Sequence, residues 1–337
     1  MSNDARPRAV LVLPGRGSYT SATLGSLPAG DPLVGRADAL RAELDMEALS
    51  ALDGARAFDP STHLRPANAS PLIWLTGLLD AERAAADHRV VAVIGNSLGW
   101  YTALTVGQAL DFDDAFRLVQ GMALLQEEAA AAGGGGQVIY PRMSTDWRPA
   151  PDWEAAIRGV LEDNGEVYPS VDLGGYLVLA GTEAGVQRLL ATLPPAQLGE
   201  RHFPVRLAHH GPYHTPLLAT VAEAAAERFA ELRWQRPRLT LIDGRGARFT
   251  PWATDPAELA RYTLGQQLVT PYSFAAAARV ALREYAPRVL VMAGPGNTLG
   301  GVMGQLVVAE GYRGIRTRAE FESVQSGPDP IVLAMRG

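Results

Sequence analysis

Residues 90–99 read VVAVIGNSLG, a continuous apolar run that ends in a serine flanked two positions on either side by glycine. The run has the character of a strand buried on both faces, as in a parallel sheet. The next stretch, LGWYTALTVGQAL (98–110), has helical character. Strand, tight turn and helix in that order place Ser97 on a sharp corner. The two glycines remove the side chains that would collide there.

The same alternation continues outward in both directions. Upstream, Ala9–Pro14 (AVLVLP) reads as a strand that runs into the turn Gly15-Arg16-Gly17-Ser18. Helical spacing covers Pro71–Ala86, and a further helix covers Asp111 to about Ala132. Later strands are expected at Arg238–Ile242 and Arg288–Met292. Strands alternating with helices predict an α/β fold around a parallel sheet. Four consecutive glycines, Gly133–Gly136, break the pattern. After them come a strand (Gln137–Met143), a helix (Asp152–Asn164) and two strands (Val167–Asp172, Tyr176–Ala180). A helix (Glu183–Leu193) and a strand (Arg201–Leu207) complete the series. This βαββαβ order is the ferredoxin-like pattern. It predicts a small subdomain, 137–207, inserted into a large α/β subdomain made of 1–136 and 208–337.

Composition excludes several chemistries. The 337 residues contain no cysteine and no lysine, so all 30 basic residues are arginine. Thiolate nucleophiles, thiolate metal sites, Schiff-base lysines and lysine-bearing phosphate loops are therefore absent. A net charge of −6 argues against a nucleic-acid partner. No apolar run approaches the roughly 20 residues of a membrane span. The opening segment MSNDARPRAV lacks a signal-peptide core, which predicts a cytoplasmic protein.

Any covalent nucleophile must then be a hydroxyl or a carboxylate, and Ser97 on its corner is the candidate. It needs a base. His63 and His88 read as surface residues, and His202 falls in the last strand of the small subdomain. His209, His210 and His214 crowd one segment, and spacing alone does not choose among them. His214 precedes Thr215-Pro216, a helix start with proline in the first turn.

Five ordered segments resemble the malonyl-CoA:acyl-carrier-protein transacylase family, which includes polyketide synthase acyltransferase domains. LPGRGSYT (13–20) is similar to its FPGQGSQ, and GNSLGWYTAL (95–104) to its GHSxGE elbow. HGPYHTPLL (210–218) resembles HAFHSPLM, QQLVTPYSF (266–274) resembles QL-xxPVxF, and AGPGNTLGGV (293–302) resembles GPGxxLxGL. The resemblance spans residues 9–308 and implies a hydrolase-like α/β core with a ferredoxin-like insertion. It implies Ser97 as nucleophile and His214 as base, oriented by the backbone carbonyl of Gln267. It implies an oxyanion site between the backbone N–H groups of Arg16 and Leu98. The substrate would be an acyl-CoA or phosphopantetheine thioester, the partner an acyl carrier protein, with no bound cofactor or metal and a monomeric chain.

The departures bear on the acyl group. The family's carboxylate-binding arginine aligns without gaps to Met122 in DDAFRLVQGMALLQEEA (113–129). Arg117 lies five residues earlier, about 140° around the helix, and cannot substitute directly. Asn96, Trp100 and Tyr213 replace the family's histidine, glutamate and phenylalanine, and Asp172 replaces the asparagine of the small subdomain's strand. With Met122, Asn96, Tyr213 and Asp172 around the pocket, a neutral, non-malonyl acyl group is the expectation. An arginine entering from elsewhere, such as Arg142 or Arg206, would restore the lost charge. Two other activities share these residues: an acyl-carrier-protein thioester hydrolase, and a non-catalytic carrier-binding module with degenerate motifs.

Overall fold

The structure is a computed structural model in which residues 5–162 and 166–336 are described. The first apolar run forms β1 (Arg8–Leu13), and helix α1 (Pro66–Asp87) leads to β2 (Arg89–Gly95). Helix α2 (Gly99–Val106) comes after the turn, and α3 (Phe112–Gly133) ends in the glycine run. Asp111 starts α3 by accepting the Asp114 N–H, a cap that satisfies one free donor of the first turn. Then come β3 (Gly136–Pro141), α4 (Pro151–Glu162), β4 (Val167–Asp172) and β5 (Tyr176–Gly181). They are succeeded by α5 (Glu183–Thr192), β6 (Ala196–Leu198), β7 (Arg201–Phe203) and β8 (Val205–Arg206). The rest of the chain supplies β9 (Leu241–Ile242), β10 (Arg248–Phe249), β11 (Tyr272–Ser273) and α6 (Phe274–Tyr285). It closes with β12 (Val289–Met292), α7 (Gly300–Ala309) and β13 (Val332–Ala334).

The fold is α/β. Its larger sheet runs β10-β9-β2-β1-β12-β13, parallel except for the β9–β10 hairpin. Residues 9–13 of β1 are wholly buried, as a strand between two paired neighbours and two helical layers should be. The smaller sheet runs β11-β4-β5-β3-β8. Its four strands between 136 and 206 are antiparallel, with a separate apolar core around Val138, Leu179, Val186 and Leu189. The fifth strand comes from outside that stretch: β11 lies parallel to β4, with Tyr272 opposite Val171. This pairing stitches the far half of the chain to the small sheet, close to the residues of interest.

Several elements differ in extent from the sequence reading. The helix expected at Pro71–Ala86 begins at Pro66, because proline is tolerated in a first turn, and it contains Pro71. The strand expected at Arg201–Leu207 is two strands. Pro204 has no N–H for a ladder, so β7 folds back on β6 while β8 pairs with β3. Of Arg238–Ile242 only Leu241 and Ile242 register with β2. The expected helix end at Asn164 falls outside the described residues.

Candidate active site

The corner at the end of β2 is built by its glycines. A Cβ on Gly95 would lie 2.2 Å from the Gly99 carbonyl atoms, and one on Gly99 would lie 2.2 Å from the Leu13 oxygen. Neither position admits a side chain, so β1, β2 and α2 meet at the turn in backbone contact. Ser97 is held at φ +52°, a conformation that costs an L-residue on the order of 1–3 kcal/mol. Beneath the turn, the fully buried Trp100 donates its indole N–H to Thr263 at 3.0 Å. Tyr272 donates its hydroxyl to the Gly95 carbonyl at 2.5 Å.

Of the three crowded histidines, His214 reaches the serine. Its Nε2 lies 2.7 Å from Ser97 Oγ, and its Nδ1 lies 2.7 Å from the Gln267 carbonyl oxygen. A carbonyl only accepts, so Nδ1 carries the proton and Nε2 presents a lone pair to the hydroxyl. His214 is 3% exposed and sits at φ +59°. Burial lowers its pKa from 6.5 to about 4; the Gln267 bond opposes that fall and the Arg16 charge adds to it. His210 instead turns Nδ1 to the Ala208 carbonyl at 2.8 Å, and His209 is exposed. His63 is not the surface residue expected from sequence. It is 3% exposed, with its ring nitrogens on the Asp59 N–H and the Leu52 carbonyl.

The histidine loop is held from the small sheet by residues that sequence reasoning missed. Ser170 donates to the Tyr213 carbonyl at 2.7 Å, and Gln137 donates to Ser170 at 2.6 Å. Both are buried polar residues on strands, Gln137 standing beside the apolar run Val138-Ile139-Tyr140. Gln267 succeeds a π-helical turn, Tyr262–Gln266. Its side chain accepts from Tyr101 at 3.2 Å and donates to the Ser97 carbonyl at 3.4 Å, so one residue touches both halves of the pair.

Two cavities meet at Ser97. The smaller, about 30 Å³, is lined by Ser97, Leu98, Met122, His214, Gln267 and Arg16. The larger, about 530 Å³, is lined by apolar residues of the small sheet, by Leu299 and Val302 of the large domain, and by polar residues that include Asn96, Arg201 and His202. Tyr213 and Arg16 line both. Asp172 lines neither: it is held by Arg142 at 3.2 Å and by the Gly174 N–H at 2.8 Å. Arg142 also pairs with Glu154, and Arg206 pairs with Glu183 at 2.7 Å, so neither supplies charge to the cavities. Among the described residues no cluster of His, Asp and Glu could hold a metal ion.

No protein-family model matches the chain. Individual relatives do. A malonyl CoA-acyl carrier protein transacylase of Haemophilus influenzae is 26% identical over 327 residues, covering 94% of this chain and 97% of the relative. The crystal structure of the corresponding transacylase of Xanthomonas oryzae pv. oryzae superposes with a TM-score of 0.73 at 25% identity, covering 88% and 91%. The chain is a relative of the malonyl-CoA:acyl-carrier-protein transacylases. Its enzyme class is acyltransferase. A type II polyketide synthase acyl-carrier protein in complex with its malonyl-transacylase shares the transacylase fold, with a TM-score of 0.72 at 21% identity over 89% and 93%.

Proposed function

We propose that this acyltransferase carries an acyl group as an ester on Ser97, from a CoA or carrier-protein thioester to the phosphopantetheine thiol of an acyl carrier protein. The carrying observation is the 2.7 Å contact of Ser97 Oγ with a His214 whose other nitrogen is committed to Gln267. In this reading His214 takes the serine proton, and Ser97 Oγ attacks the thioester carbonyl. The tetrahedral oxygen is met by the backbone N–H groups of Arg16 and Leu98. His214 then protonates the leaving thiolate, and the incoming thiol reverses the sequence. Support for the carrier-protein partner comes from the relatives' names and from the complex of a carrier protein with its malonyl-transacylase.

The acyl group has two supports that point apart. Met122, 1% exposed on α3, offers no charge from the helix where the family's arginine would stand, which supports a neutral group. A second reading, a carboxylated group held from another wall, is favoured by Arg16, a residue that lines the same space and carries an unpartnered Nη2. We further propose that 1–136 with 208–337 act as the catalytic body and 137–207 as a small subdomain over the cleft. The enzyme would work as a cytoplasmic monomer in polyketide- or fatty-acid-type synthesis. Among the described residues no helix is long and apolar enough to cross a membrane.

Intact-protein mass spectrometry after brief exposure to acyl-CoA and acyl-pantetheine donors tests the reading. An acyl mass on the wild type that is absent from Ser97→Ala is the expected result. An adduct that persists in Ser97→Ala refutes it. Decay of the adduct in plain buffer, without thiol, would make the enzyme a hydrolase instead.

A further inference from the structure

Arg16 forms no hydrogen bond or ion pair among the described residues. Its guanidinium lies over the Tyr213 ring, 4.6 Å from the centroid, and its Nη2 is buried without a partner. The fully buried guanidinium of Arg41 shows how this chain satisfies such a group. Arg41, 1% exposed, donates to the carbonyls of Glu47 and Ala67 and to the side chains of Gln120 and Asn68. Arg16 is half-buried and lines both cavities, and its Nη2 is the donor left without a protein acceptor. A buried donor without an acceptor is costly, and a charged one more so, unless a ligand completes it.

The cavity names the ligand's chemistry. No Asp or Glu lines either space beside Ser97 among the described residues, so the local field is positive and unanswered. Arg16 and Ser97 line both spaces, and the smaller one also contains His214 and Met122, so a group that meets Arg16 beside Ser97 is carried on the acyl group itself. A planar guanidinium pairs best with a carboxylate. Met122, standing where an arginine is expected on α3, lines that same space.

We infer that the Arg16 side chain is the specificity-determining residue of the acyl site, taking from the amino-terminal loop the carboxylate of a carboxylated acyl group. The charge missing at Met122 has then moved to another residue lining the same space. Tyr213 supports it by stacking. The inference rests on acyl transfer through Ser97, and the backbone N–H of Arg16 keeps its separate role at the oxyanion.

The test separates the two readings by measuring binding without turnover. Malonyl-pantetheine and acetyl-pantetheine differ only in a carboxylate and carry no nucleotide phosphates. Titrated calorimetrically into Ser97→Ala protein, the malonyl compound is expected to bind at least tenfold tighter. Arg16→Gln in that background should erase the preference, and Arg16→Lys should keep part of it. Adding Met122→Arg to Arg16→Gln should restore part of it, provided circular dichroism shows the double variant folded. Equal binding of the two compounds, or a preference that survives Arg16→Gln, overturns the inference. Acylation of Arg16→Gln that falls equally with both donors also overturns it, assigning the guanidinium to the oxyanion. Failure of every donor to label the wild type refutes the Ser97 reading and leaves the binding comparison to decide Arg16.

Discussion

Lowering the pH is the perturbation that addresses His214 without changing an atom of the protein. Its pKa falls from 6.5 to about 4, first because burial penalises the imidazolium, and in smaller part because of Arg16. A base works only when neutral. At pH 5.5 an ordinary histidine is about one-tenth neutral, whereas one titrating near 4 is almost wholly so, a difference of about tenfold in competent enzyme. Acylation by acetyl-pantetheine, which has no group titrating in this range, should therefore stay flat from pH 8 to about 5 and halve near 4. Rapid quench and intact mass measurement read it. A half-loss near 6.5, with a plateau only above 7, would refute the assignment of His214 as a buried base. The same shift acts on stability. The unfolded chain takes up the proton first, so stability is full above about 6.5 and is lost progressively as pH falls from there to about 4, by on the order of 3 kcal/mol. Urea midpoints should therefore fall well ahead of the rate, from about pH 6.5 downward, and level off near pH 4 where the rate halves.

Four substitutions probe the surroundings. Gly99→Ala forces a Cβ to within 2.2 Å of the Leu13 oxygen, so a loss of several kcal/mol in urea unfolding, with activity lost alongside, is expected. A stable, active Gly99→Ala would show that the turn can relax. Tyr272→Phe removes the hydroxyl from the Gly95 carbonyl and should cost about 1–3 kcal/mol, read as a lower midpoint with unchanged slope. Ser170→Ala frees the Tyr213 carbonyl beside His214, so acylation should slow with kcat lowered and KM preserved; a change confined to KM would speak against a positioning role. Arg16→Gln removes a positive neighbour of His214 and should move the acid limb of the rate profile to higher pH.

The sequence carried the local parts of this molecule and missed those that depend on distant approach. Residues 90–99 announced their strand, corner and helix because glycines and a buried apolar run have few alternative uses. The small-sheet strands at 167–172 and 176–181 were legible for the same reason. By contrast, β9, β10 and β11 are two residues each, with no period to detect, and β11 exists only because β4 offers an edge. Asp172 was placed in the pocket by alignment, which cannot see that Arg142 and the Gly174 N–H claim its carboxylate. The three crowded histidines were unresolvable because the choice is made by Gln267, 53 positions away from His214.

Arg16 and Met122 show most plainly what sequence could and could not supply. Each departure was visible on its own: an arginine where the family has glutamine, valued only for its backbone N–H, and a methionine where the family has arginine. Read singly, they argue for a tolerated change and a lost charge. The fold sets both against one small space beside Ser97, with the guanidinium braced on Tyr213 and lacking an acceptor. An absent charge on α3 costs a neutral acyl group nothing, but an unanswered one on the loop penalises every occupant that lacks a counter-charge. The two observations are therefore unequal in weight. Pairing the two substitutions at one cavity explains both at once, whereas the neutral reading explains Met122 and leaves the buried Nη2 of Arg16 without a purpose.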